Sequence, residues 1–188
     1  MKKVFLFIAL VFIVILIVGC FHTKDFKYGV QQINQLNKKY NTTIETYPKT
    51  MQQIDLMFND YVELKKIQLE SGQEAFNYVL DYKLINLDAE KLYSGGQKYG
   101  GAGTTKDGFG CKSRPLIIES VKLRNSSAIN GFEAVELLRE FVGKFPKEAN
   151  SIGLSQKNAL FLNATFYQIS RDARSDSNTI NRFCPKNV

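Results

Sequence analysis

Histidine is nearly missing from this 188-residue chain: His22 is the only copy, and it follows directly on an apolar N-terminal run. A Ser-His-Asp or Cys-His arrangement needs an imidazole inside a folded pocket, so those nucleophilic schemes are excluded. Cysteine is almost as sparse, with Cys20, Cys111 and Cys184 alone. Zinc sites of the usual His/Cys kind then lack ligands, unless Cys111 and Cys184 stay reduced. No serine is followed three residues later by lysine, which removes the S-x-x-K acyl-enzyme signature. No dense Lys/Arg run or nucleic-acid motif is present, so nucleic acid is not an expected partner. No catalytic residue, metal or cofactor is assigned on these grounds.

Charge is missing from the N-terminus in an instructive way. After Met1-Lys2-Lys3, the stretch from Val4 to Val18 holds no charged or strongly polar side chain. A short basic segment before an apolar one is the layout of an export signal. The positive end stays in the cytoplasm and the rest is carried across. Val4 to Phe21 is 18 residues, while a membrane-spanning helix needs about 20. Length alone therefore leaves an uncleaved anchor open beside a cleaved signal.

The end of the run decides between them. Ile17-Val18-Gly19-Cys20 resembles the lipobox of prokaryotic membrane lipoproteins, with an aliphatic residue three before the cysteine and a small one directly before it. The resemblance covers residues 1–20 only and implies nothing about the fold beyond. It implies that Cys20 receives a diacylglyceryl group and that residues 1–19 are removed, with residues 20–27 left as a short tether. The domain of residues 28–188 would then sit outside the cytoplasmic membrane, at its outer face or on another envelope membrane. Cysteine parity points the same way, because an odd count in an exported protein leaves one thiol over. Committing Cys20 to lipid leaves Cys111 and Cys184 as a pair where disulfides persist.

Cleavage before Cys20 would leave 169 of the 188 residues, enough for one domain with its own core. Loss of Lys2 and Lys3 lowers the formal charge from +7 to +5. That surplus could attract anionic lipid head groups or acidic wall polymers. Along the sequence, however, the basic residues are scattered, as ordinary solubility requires.

Apolar periodicity predicts a mainly α fold, a bundle or array of about five amphipathic helices. The first carries Phe26, Val30, Ile33, Leu36 and Tyr40 at helical spacing and is broken by 41–48. Thr50-x-x-Gln53 and Ser71-x-x-Glu74 have the form of capping boxes for the second and third helices. The third is expected to run to about Tyr93. Residues 94–110 contain seven glycines and read as a loop, since glycine loses too much backbone entropy in an element interior. Residues 116–124 read as a helix opened by Pro115 or as a short strand; no partner strand is visible, which favours the helix. Asn130-x-x-Glu133 offers the start of a further helix, and 155–173 the last.

A P-loop is excluded within the glycine segment, because "GGAGTTK" at 100–106 places lysine after the hydroxyl residues and no strand precedes it. Lys98, Tyr99, Lys106 and Phe109 are its candidate partner contacts. Glu133, Glu136 and Glu140 share a helix face and read as its solvated back. The sequons at Asn41, Asn125 and Asn163 matter only where exported proteins are glycosylated, and Asn163, beside an apolar stripe, should be the least accessible. The expected function is a non-enzymatic binding or structural module of the cell envelope, whose partner is an envelope protein or an anionic polymer. A carboxylate-dependent enzyme acting on glycans is the first alternative, and would need two carboxylates facing one cleft. A solute-binding component of a transporter is the second, and the short helical pattern argues against it.

Overall fold

A computed structural model describes residues 23–46, 48, 50–105, 108–109 and 111–184, with the backbone alone at 101–105 and 108–109. The export-signal run, Cys20, His22 and Lys106 lie outside the described residues. Among the described residues, six α-helices follow in order: α1 (Phe26–Lys39), α2 (Met51–Leu64), α3 (Gln73–Gly103), α4 (Arg114–Lys144), α5 (Pro146–Ser151) and α6 (Gln156–Phe183). Between α3 and α4, Thr104–Thr105 pairs antiparallel with Gly108–Phe109, and Cys111–Ser113 forms a 3-10 turn. The mainly helical class is therefore as the periodicity predicts. Among the described residues, no helix is long and apolar enough to cross a membrane.

Local chemistry starts several helices. Asp25 caps α1 by accepting from the Tyr28 N–H at 2.9 Å, and Thr50 caps α2 by accepting from Gln53 at 3.3 Å. Ser155 opens α6, with its N–H and hydroxyl both donating to Asn158 Oδ1. The Ser71 cap does not form. Gly72 takes the left-handed turn before α3 at φ +74°, and Glu74 instead pairs with Lys144 at the far end of α4.

α3, α4 and α6 are 31, 31 and 28 residues long, and α4 lies between the other two. Two expectations fail here for the same reason. The glycine-rich segment is helical through Gly103, and no break occurs at Asn130. Gly96 and Gly100 let α4 approach closely: a Cβ on Gly96 would meet Arg124 Cγ at 2.7 Å, and one on Gly100 would meet Ser120 Oγ at 3.0 Å. Ser120 Oγ donates to the Gly96 carbonyl at 2.7 Å, and Ser127 Oγ to that of Ala89 at 2.7 Å. Each glycine costs roughly 0.5–1 kcal/mol of helix propensity, and packing against α4 offsets it. Asn130 does not cap anything; its side chain donates to Asp88 at 2.6 Å. Farther along α4, on the same stripe as Ser120 and Ser127, a Cβ on Gly131 would come within 2.2 Å of the Phe166 ring of α6.

The main core gathers Ile33, Ile54, Met57, Tyr61, Phe76, Leu80, Leu138 and Phe141 from α1–α4. A second, small cluster of Ile117, Ile180 and Cys184 lies at the other end of the long helices. There Cys111 and Cys184 are disulfide-bonded, 73 residues apart in sequence. Arg114 Nε donates to the Cys184 carbonyl at 2.9 Å and fixes the same corner.

Two stability outcomes follow. The Cys111–Cys184 bond closes a loop of 73 residues, worth about 4–5 kcal/mol by chain entropy. Urea unfolding with and without reductant, or of Cys111→Ser/Cys184→Ser, is expected to show a loss of that order. Gly131→Ala forces its methyl against Phe166 and should cost about 1–3 kcal/mol in the same assay.

Candidate functional site

Two places in the fold combine exposed chemistry with a defined position. The first is the disulfide end. Gly103 and Arg114 bring the α3–α4 connection to it, and the last turn of α6 joins through Cys184. Lys98, Lys112 and Arg182 are exposed there, and Arg114 is half-buried. In the sequence Asp107 is the only acidic residue from 95 to 118, and none occurs from 177 to 184. Tyr99, Leu116, Ile118 and Phe183 are exposed at the same end, Phe183 by 67%. The Arg182 guanidinium lies 5.5 Å from the Phe183 ring centre. The fold thus brings four of the chain's 25 basic residues to one end, beside exposed aromatic side chains.

Of the predicted contacts, Lys98 and Tyr99 stand exposed on the last turns of α3. Phe109 is placed only by its backbone, in the second paired dipeptide. Glu133, Glu136 and Glu140 are exposed on α4. Glu136 pairs with Arg139, and Glu140 accepts from the Tyr78 hydroxyl at 3.2 Å. Asn41 and Asn125 are exposed and Asn163 half-buried.

The second place is the groove between α3 and α6, floored by α4. One hollow of about 470 Å³ is lined by Glu90, Tyr93 and Gln97 of α3, Arg124 of α4, and a run of α6 from Phe161 to Asp172. A second of about 490 Å³ continues toward the α1–α2 loop, between Tyr82 and Phe161. Arg124 is 8% exposed, and its Nη2 pairs with Asp176 at 2.5 Å. Its Nε is buried with no acceptor among the described residues.

Behind the groove, Lys83 is fully buried and donates to the carbonyls of Thr43, Ile44 and Thr46 at 3.3, 2.8 and 3.2 Å. These bonds tie the α1–α2 loop to α3. Burial pushes the Lys83 ammonium down to about 7, with Glu90 and Glu45 pulling the other way. Burial also raises the Glu90 carboxyl, against the attraction of Lys83.

The chain matches no protein-family model, no curated protein and no solved structure. Its functional reading therefore rests on its own residues. Lys83, Glu90 and Arg124 do not stand out in the sequence as site residues, although a signal for them exists. Phe76, Leu80, Lys83, Leu87 and Glu90 fall at steps of four, three, four and three, so two charged residues occupy a stripe that is otherwise core. Arg124 occupies the corresponding stripe of α4 with Ser120, Ser127 and Gly131.

Lys83 gives a pH outcome. The folded lysine loses its proton near pH 7, and an unfolded one at its ordinary 10.5. Between those values the unfolded chain holds the extra proton, so stability rises with pH, by at most ~1.4 kcal/mol per unit. Denaturation at pH 7, 8 and 9 should show this rise in the wild type, and a flatter course in Lys83→Met.

Proposed function

We propose that the protein is a lipid-anchored, extracytoplasmic binding module of the cell envelope, which meets an anionic envelope component with its basic, disulfide-bonded end. The carrying observation is the polarity of the molecule. The chain enters at Lys24, whose carbonyl accepts from the Glu70 N–H at 2.6 Å, beside the start of α3. The basic end lies at the other terminus of α3, a 31-residue helix of about 45 Å at 1.5 Å per residue. Cys20 precedes the α1 cap by five residues, a reach of at most about 18 Å. An anchor on Cys20 would hold the Lys24 end near the bilayer and leave the basic end free to project. The Ile17-Val18-Gly19-Cys20 pattern and the pairing of the other two cysteines support the anchor.

Cys20→Ser should move the protein from the membrane to the soluble fraction or leave it unprocessed, and should abolish incorporation of labelled fatty acid. Retention of the label in that variant contradicts the reading. The triple variant Lys98→Ala/Lys112→Ala/Arg182→Ala should bind a heparin column about tenfold more weakly at low salt, with unchanged thermal unfolding. Equal retention of variant and wild type contradicts the role given to this end.

A second reading, an enzyme acting on glycans, gains one specific observation: Glu90 and Asp172 line the same groove. Release of new reducing ends from a glycan by the wild type, lost in Glu90→Gln, would favour it over a purely binding role.

A further inference from the structure

The disulfide end is short of anionic partners within its own fold. None of the eight ion pairs among the described residues includes Lys98, Lys112, Arg114 or Arg182. Arg114 directs its hydrogen bonds to the Cys184 carbonyl and to Asn181 Oδ1, both uncharged. The flanking carboxylates Glu119 and Asp176 pair with Lys122 and Arg124 instead. An anionic surface would supply what these four cations lack.

Charge alone does not separate a soluble polyanion from an anionic bilayer, but the apolar side chains do. Tyr99, Leu116, Ile118 and Phe183 are exposed at this end, while Ile117 and Ile180 fill its small core. A polyanion in water gains nothing from bare aliphatic groups such as Leu116 and Ile118. A bilayer interface takes apolar groups below the head groups, while ammonium and guanidinium groups stay at the phosphates. The Arg182 guanidinium, 5.5 Å from the Phe183 ring centre, already sets one cation beside one apolar ring. Depth fits as well. Lys98 and Tyr99 stand shortly before the end of α3 at Gly103, Leu116 and Ile118 just after the start of α4, and Phe183 ends α6. At 1.5 Å per residue all of them lie within about 8 Å of their helix ends. Interfacial side chains sink about 5–10 Å into a bilayer. This end lies at the far terminus of the 31-residue α3 from the chain entry, so a molecule standing on its anchor presents it to a facing surface.

Building on the binding role given to this end, we propose that it docks on an anionic lipid bilayer facing the one that anchors the chain. Phe183, Leu116 and Ile118 enter among the head groups, and Lys98, Lys112, Arg114 and Arg182 meet the phosphates. The test uses the full chain reconstituted in sucrose-loaded phosphatidylcholine vesicles. These are mixed with fluorescent acceptor vesicles of phosphatidylcholine, alone or with about a quarter phosphatidylglycerol, at about 0.1 M salt. Acceptor fluorescence in the donor pellet reads docking. Anionic acceptors should be carried down about tenfold more than neutral ones. Phe183→Ser and Leu116→Ser/Ile118→Ser should each lower capture about tenfold, with heparin retention and thermal unfolding unchanged. Lys98→Ala/Lys112→Ala/Arg182→Ala should lower capture and heparin retention together. Capture no greater than by protein-free donors, equal capture of neutral acceptors, or capture unchanged in both serine variants would overturn the proposal. Heparin retention that depends on the three cations, without vesicle capture, would assign this end to a soluble polyanion; the proposal then fails while the binding role stands. Heparin retention indifferent to those cations, again without capture, would remove both.

Discussion

The close approach of α4 to its two neighbours is the constraint from which the rest of the structure follows. On one side Gly96, Gly100, Ser120 and Ser127 remove the side-chain bulk that would hold α3 away, and two serine hydroxyls bridge to α3 carbonyls. Toward α6, the missing side chain of Gly131 makes room for Phe166. With both flanks seated on α4, α3 and α6 leave a groove between them whose floor is Arg124. Interiors close-packed in this way transmit small volume changes, so a single methyl at Gly131 is felt.

The same packing explains what was and was not legible in the sequence. Helices with a clear apolar stripe, α1, α2 and the first half of α3, can be read from spacing. The cysteine pair can be read from parity. The glycine-rich end of α3 could not, because glycine's intrinsic preference argues for a loop and only contact with α4 reverses it. Residues 125–131 failed in the same way: Asn, Ser and Gly look like an interruption until Asp88, Ala89 and Phe166 occupy them from outside. Propensity is local, and these segments are helical for non-local reasons. The basic end was hidden for a geometric reason, since residues near 98, 112 and 182 meet only after α3 and α4 fold back and the disulfide closes.

Polar groups at two depths divide the labour of the molecule. Lys83, fully buried, holds the α1–α2 loop through three carbonyls and is structural in effect. Arg124 and Glu90 line the groove between α3 and α6, where Arg124 pairs with Asp176. The disulfide adds rigidity where the apolar cluster is smallest, with Ile117 and Ile180 as its main companions. A covalent staple there compensates for a thin core.

The central claim is that one cysteine anchors the protein while the other two staple its far end. Mass spectrometry of the natively isolated protein, digested without reduction, tests both halves together. The account predicts an N-terminal peptide that begins at a lipid-modified Cys20, and a linked pair of peptides holding Cys111 and Cys184. An intact Met1 terminus with an unmodified Cys20, or Cys20 joined to either of the other cysteines, would contradict it.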